Sequence, residues 1–111
     1  MCLFCKIGNH EIPATILFED EDLLAFADIQ PVAPTHVLII PRRHLASLDE
    51  TQPDDAALLG KLVLAAARVA RERHLAAGWR LVANTGAGAG QSVHHLHLHV
   101  LGGRPLGWPP G

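Results

Sequence analysis

The chain has 111 residues, of which 49% are apolar and 18% are charged, and its formal net charge is −2. This composition predicts one globular domain over residues 1–111 and excludes a disordered chain. No basic run exceeds the pair Arg42–Arg43, no apolar run approaches the roughly 20 residues that span a bilayer, and the N-terminus lacks a signal-peptide pattern, so we expect a cytoplasmic protein that binds neither nucleic acid nor membrane.

Three short strands are expected in the first part of the chain. The segments TILFED (15–20) and LLAFAD (23–28) predict two strands that are joined by an acidic hairpin turn. The segment HVLIIP (36–41) predicts a third strand, which its final proline would end.

One long helix is expected next. Thr51 or Gln52 can cap its start, Pro53 suits its first turn, and Gly78 predicts its end. Apolar residues recur at helical spacing and would form one buried stripe, namely Leu58, Leu62, Ala66, Val69 and Ala70.

Two further strands are expected after the helix. The segment RLVAN (80–84) predicts the fourth strand, TGAGAGQS (85–92) a glycine-rich loop, and HHLHLHVLGG (94–103) the fifth strand. Strands on both sides of a single helix are typical of an α+β fold with a largely antiparallel sheet rather than of repeated βαβ units.

The fifth strand carries the most unusual pattern in the chain. In a strand, His95, His97 and His99 share one face and the alternating aliphatic residues face the other way. A solvent face would more commonly carry Thr, Lys, Glu or Ser. One metal ion bound by all three is disfavoured, because His95 and His99 would lie roughly 13 Å apart and zinc–nitrogen bonds are only about 2.0–2.1 Å long. We therefore expect the three histidines to have different roles, in which an end residue can bind metal and the others take part in the reaction.

The glycine-rich loop leads directly into this histidine row. Backbone N–H groups around Gly86, Gly88 and Gly90 can converge on an anion, and Ser92 adds a hydroxyl donor. Taken alone, the loop is more typical of a plain flexible turn. Neutral histidine is a good nucleophile near pH 7, so the two features together suggest attack on a phosphate that the loop holds.

Cys2 and Cys5 form a C-x-x-C pair. Such a pair can be half of a metal site, a redox pair or two reduced thiols. The redox form usually follows a strand, and no strand can precede this one, so it is the less favoured reading.

At this point the sequence resembles a known family. The segment HLHLHVL (95–101) is similar to the signature of the histidine triad (HIT) family, and GQSVHHLHLHVLGGR followed by WPPG is similar to its Hint branch. The segments FCKI, EIPATILFEDEDLLAFADI, PTHVLIIPRRH and LVANTG resemble Hint segments in the same order. The resemblance implies a HIT-like fold, with a five-stranded antiparallel sheet, one long helix, a short N-terminal helix or turn, and two sheets joined in a homodimer.

The same resemblance implies a hydrolase that cleaves the P–N bond of purine nucleoside 5′-phosphoramidates through a nucleotidyl-histidine intermediate. His97 would be the nucleophile, His99 would bind the phosphate and manage the proton of the leaving group, and His36 would support the row. The remaining implied contacts are Asn84, Gly90, Gln91 and Ser92 for the phosphate, Asp28 for the ribose, and Phe4, Ile7, Phe26 and Ile29 for the base. Several of these residues also have ordinary structural explanations. A dinucleoside polyphosphate hydrolase, or a nucleotide-binding or zinc interaction module with weak turnover, are the alternative functions.

Some bacterial members of the family have a further likeness to this chain. They imply that Cys2, Cys5, His44 and His95 hold a structural zinc ion. A closed Cys₂His₂ set leaves no open position, so this zinc would not activate water. Two thiols without metal are the alternative.

Overall fold

The computed structural model describes residues 2–111 and has the α+β fold that the sequence predicts. The helices and strands are α1 (Leu3–Gly8), β1 (Ile16–Glu19), β2 (Leu23–Ala27), β3 (Thr35–Pro41), α2 (Ala56–Glu72), β4 (Trp79–Val82) and β5 (Leu98–Gly102). The five strands form one sheet in the order β1-β2-β3-β5-β4, and every neighbouring pair is antiparallel. No helix within residues 2–111 is long and apolar enough to cross a membrane.

The sheet is covered on both faces, which gives the fold two apolar clusters. One lies between the sheet and α2, where four of the five predicted stripe residues are buried and Leu58 is partly buried. The other lies under α1 on the opposite face and consists of Phe4, Ile7, Leu24, Phe26, Leu38 and Ile40. Strand β3 is buried along its whole length, because its alternate residues contribute to the two clusters.

Helix α2 is shorter than predicted at both ends. Pro53–Asp55 forms a separate 3₁₀ turn, in which the N–H of Gln52 donates to Asp55 Oδ2 at 2.8 Å. At the other end the helix stops at Glu72 rather than continuing to Gly78. His74 adopts a left-handed φ of 58°, which turns the chain so that Leu75 becomes buried against the sheet. The stop is therefore set by burial of a leucine and not by the glycine.

The histidine row is only partly a strand. The regular pairing of β5 begins at Leu98, which lies opposite Ile39, so the predicted strand 94–103 is too long at its N-terminal end. The cause is a contact outside the sheet, because the N–H of Leu96 donates to the Leu45 carbonyl at 2.6 Å. The alternation survives this irregularity, and Leu96, Leu98 and Val100 all lie in the cluster under α2.

Candidate active site

The histidine row borders a pocket of about 290 Å³ on the sheet face opposite α2. The pocket brings together eight residues that the sequence marked as substrate contacts or catalytic groups, namely Phe4, Ile7, Phe26, Asp28, Ile29, Ser92, His97 and His99. Its apolar end is formed by α1 and β2, and its polar end by the histidines. Ile29 lies on the rim, where 92% of its surface is exposed.

His97 presents one bare ring nitrogen to this pocket. Its Nδ1 lies 2.7 Å from the backbone carbonyl of His95. A carbonyl can only accept a hydrogen bond, so Nδ1 carries the proton, and in the neutral ring Nε2 keeps its lone pair. The ring is buried, and it packs against the Phe4 ring in a T-shaped pair with ring centroids 5.1 Å apart. The backbone and the phenyl ring together hold a nitrogen nucleophile in one orientation.

His99 presents the opposite tautomer, and its state is set through His36. The backbone N–H of Val32 donates to His36 Nδ1 at 3.1 Å, so the proton of His36 is on Nε2. That Nε2 lies 2.9 Å from His99 Nδ1 and 3.3 Å from Asp28 Oδ2. His99 Nδ1 therefore accepts, and a neutral His99 carries its proton on Nε2.

Burial keeps His99 in this neutral state. Desolvation, aided by the positive charge that His97 and His36 can carry, lowers the pKa of His99 to about 4. Burial also lowers the pKa of His36, although Asp28 opposes that shift. The Nε2 of His99 is buried and has no hydrogen-bond partner within residues 2–111. A buried N–H donor without a partner is costly, so its position beside the pocket indicates a ligand that accepts from it.

The glycine-rich loop is organised by Gln91 rather than left flexible. Its Oε1 accepts from the N–H of Gly86 at 2.9 Å, and its Nε2 donates to the carbonyls of Ala46 at 2.7 Å and Val93 at 3.0 Å. These bonds occupy the side chain of Gln91, so it holds the loop closed. The structure does not bring Asn84, Gly90 or Gln91 into the pocket lining, whereas Ser92 is part of it.

A second cluster consists of Cys2, Cys5, His44 and His95, whose ligand atoms all lie within 4.8 Å of one another. Cys2 Sγ is 3.3 Å from His95 Nδ1, Cys5 Sγ is 3.3 Å from His44 Nδ1, and the two Nδ1 atoms are 3.2 Å apart. Ligands of a tetrahedral zinc ion are separated by about 3.3–3.8 Å, as its bond lengths require. The four residues therefore fit a zinc ion in both chemistry and spacing.

The tautomer of His95 also fits a metal ligand. Its Nε2 lies 2.8 Å from the Pro41 carbonyl and so carries the proton, which leaves a lone pair on the Nδ1 that faces the thiols. Burial raises the pKa of Cys5, and the side-chain hydrogen bond with Cys2 and the repulsion between two adjacent thiolates raise it further. A divalent cation would remove that repulsion.

Sequence patterns missed two kinds of contributors to the site. Backbone groups of Val32 and Pro41 determine the tautomers of His36 and His95, and no residue type signals such a role. The apolar part of the pocket also includes residues with no distinctive pattern, namely Leu3, Ile12, Pro13, Ala14, Leu38 and Val93.

Comparisons with known proteins identify the family of this chain. The HIT domain family model matches residues 9–106. An uncharacterised HIT-like protein of Synechocystis sp. is 53% identical over 109 residues, which cover 98% of this chain and 96% of that protein. The structure of a HIT family hydrolase from Legionella pneumophila matches with a TM-score of 0.98, 52% identity and 100% coverage of both chains. A histidine triad nucleotide-binding protein from Candida albicans matches with a TM-score of 0.84 and 35% identity, covering 98% of this chain and 83% of that one. This chain belongs to the HIT domain family.

Proposed function

We propose that the protein is a Hint-type nucleotide hydrolase that cleaves the P–N bond of purine nucleoside 5′-phosphoramidates. One observation carries the proposal. Two adjacent imidazoles at one pocket are held in opposite tautomers, so that His97 offers a lone pair and His99 offers an N–H. A nucleophile beside a hydrogen-bond donor is what displacement at phosphorus requires. The Legionella relative is named a hydrolase and the Candida relative a nucleotide-binding protein, which supports the same reading.

The pocket suggests how the substrate lies. The base would occupy the apolar end between Phe4, Ile7 and Phe26, with Ile29 at the rim. Asp28 would take the ribose hydroxyls, since its carboxylate lines the pocket and contacts His36. The α-phosphate would then reach the polar end, with Ser92 beside it, and with Asn84 and the loop residues Gly90 and Gln91 behind it.

The reaction would proceed in two displacements. His97 Nε2 attacks the α-phosphorus, the P–N bond breaks, and the amine leaves with the bonding electrons and takes up a proton from solvent, which the attacking water of the second step returns. His99 Nε2–H donates to a phosphoryl oxygen or to the departing nitrogen as charge develops there. Water then displaces His97 from phosphorus, which gives the nucleoside 5′-monophosphate and restores the ring. His36 supports both reaction steps by keeping the His99 proton on Nε2.

Zinc is part of the same proposal as a structural ion. Cys2, Cys5, His44 and His95 would hold it, and it would supply a cross-link between α1 and the start of the histidine row. His95 connects the two sites, because its ring faces the cysteines and its carbonyl orients His97. Loss of the ion would therefore loosen the nucleophile as well as the N-terminus.

We also propose that residues 1–111 form a single HIT domain, located in the cytoplasm, and that two copies pair through the free edge of β4. That edge strand has exposed Trp79 and Leu81, and α2, which packs on one face of the same sheet, has exposed Val63 and Leu64, the last with 70% of its surface accessible. Paired edges would bury this surface. Sedimentation should show a dimer that Leu64→Asp weakens, and a wild-type monomer at micromolar concentration would contradict the pairing.

The test of the function is turnover of a fluorogenic adenosine 5′-phosphoramidate. Wild type should release the fluorophore, and His97→Ala should lose roughly 1,000-fold or more in kcat/KM, because the displacement then has no nucleophile. His94→Ala is the matched control, since it removes an exposed imidazole from the same segment. A diadenosine polyphosphate assayed in parallel separates the alternative hydrolase. Folded wild type that binds nucleotide but turns over neither substrate would contradict the hydrolase function and favour the alternative of a nucleotide-binding module.

A further inference from the structure

We propose that Arg104 is a positioning residue that holds the backbone of Val32 through its carbonyl, so that the N–H of the same residue stays on His36 and His99 presents an N–H to the substrate. Only the expected kinetic effect rests on the proposed function; the effect on the proton positions does not. Arg104 does not line the 290 Å³ pocket; it borders a separate cavity of about 710 Å³ together with Arg80. Its influence on the reaction would therefore pass through the protein and not through substrate contact.

Arg104 clamps the loop that carries Val32. Its Nη2 donates to the Val32 carbonyl at 3.0 Å, its Nε approaches the same oxygen at 3.3 Å, and its Nη1 donates to the Pro105 carbonyl at 3.0 Å. Gly103 brings the two segments together, because it has a φ of 92° and a Cβ there would lie 2.8 Å from Pro34 Cβ. The Val32 side chain is 60% exposed, so packing of that side chain contributes little to the position of the loop.

The N–H of Val32, on the other side of the same residue from the clamped carbonyl, selects one of two possible proton arrangements. The 2.9 Å contact between His36 Nε2 and His99 Nδ1 can be made with the proton on either nitrogen. In one arrangement both rings carry their protons on Nε2, and in the other both carry them on Nδ1. The Val32 N–H points at His36 Nδ1 and excludes the second arrangement, since two N–H donors cannot face each other. Asp28 Oδ2, at 3.3 Å from His36 Nε2, favours the same choice more weakly.

The choice decides what His99 offers the phosphate. With the proton on Nε2, His99 donates to phosphoryl oxygen. With the proton on Nδ1, a bare Nε2 lone pair would face an anionic oxygen and repel it. Loss of the Arg104 clamp should therefore reduce the fraction of enzyme molecules in which the donor is present, while the His97 tautomer, fixed by the His95 carbonyl, stays unchanged.

The direct test is nitrogen-15 NMR of the imidazole rings in the full chain at pH 7, which distinguishes Nδ1–H from Nε2–H. Wild type should show His36 and His99 with protons on Nε2 alone. Arg104→Ala should show averaged nitrogen shifts for both rings, and Arg104→Lys should restore them in part, because lysine can still donate to the Val32 carbonyl. Arg80→Ala is the matched control, since Arg80 borders the same cavity but donates to the Gly107 carbonyl instead.

Kinetics on the same proteins complete the test. Arg104→Ala should lower kcat for the phosphoramidate roughly tenfold, with KM changed less than about twofold because the base end of the pocket is untouched. Imidazole spectra of Arg104→Ala identical to wild type, in a variant that melts as a folded protein, would overturn the proposal. A tautomer change without a fall in kcat would overturn its catalytic part. Inactive wild type would refute the hydrolase function, and the spectra would still decide what Arg104 does.

Discussion

The burial of His99 can be tested by lowering the pH and measuring the free energy of unfolding. Its pKa is lowered from the usual 6.5 to about 4 in the folded protein, because the ring is desolvated beside His97 and His36. Above pH 6.5 the ring is neutral in both the folded and the unfolded chain, and it contributes no pH dependence. Between pH 6.5 and pH 4 the unfolded chain binds more protons, so the free energy of unfolding falls as pH falls. Below about pH 4 the loss is complete.

The size of this loss follows from the pKa change. Each tenfold change in proton affinity corresponds to about 1.4 kcal/mol, and part of the ring is reached by solvent, so the expected loss is about 2–3 kcal/mol. With a urea dependence of about 1–3 kcal/mol per molar for a domain of this size, the unfolding midpoint should move by roughly 0.7–3 M. Such a shift is easily measured.

The assay is urea unfolding of wild type and His99→Asn at several values between pH 7 and pH 4. Asn cannot titrate, yet its amide oxygen can still accept from His36. Wild type should lose about 2–3 kcal/mol more than the variant over this range. Paired carboxylates such as Glu19, whose pKa is lowered by its hydrogen bond to Arg42, also lose stability on acidification, but they do so equally in both proteins. Equal pH dependence in the two proteins would refute a half-buried His99 that stays neutral in the folded protein.

Three further perturbations test the metal cluster and the packing. Cys2→Ser should reduce bound zinc from one ion per chain to well below one by elemental analysis of purified protein, because one of four ligands becomes a poor donor; full zinc content in the variant would remove Cys2 from the site. Leu62→Ala should lower the free energy of unfolding by about 2–5 kcal/mol in urea titrations, since Leu62 is fully buried under the sheet; a change below about 1 kcal/mol would contradict that packing. Gly102→Ala should cost about 1–3 kcal/mol, because its Cβ would lie 2.6 Å from Leu75 Cδ1. Leu75→Ala should relieve most of that cost in the double variant, and simple additivity of the two changes would argue against the clash.

Local patterns predicted the number of strands and their order along the chain, the single long helix and the two faces of the histidine segment. They did so because alternation and helical spacing are imposed by burial on one face of an element, which depends only on the neighbouring residues. Boundaries were less accurate where a distant contact intervened. Leu75 is buried after a left-handed turn and ends α2 early, and the Leu45 carbonyl draws the chain at Leu96 away from the sheet.

The candidate site divides in the same way. The sequence by itself determined which chemical groups the protein has: a row of imidazoles, a pair of thiols and a glycine-rich loop, each visible as a residue type at a characteristic spacing. The tertiary structure decided their states. Cys2 and His95 are 93 positions apart and face each other only because α1 packs over the sheet. The lone pair of His97 depends on the carbonyl of His95. The N–H of His99 depends, through His36, on the backbone N–H of Val32. Every residue has such backbone groups, so their positions are known only when the chain has folded.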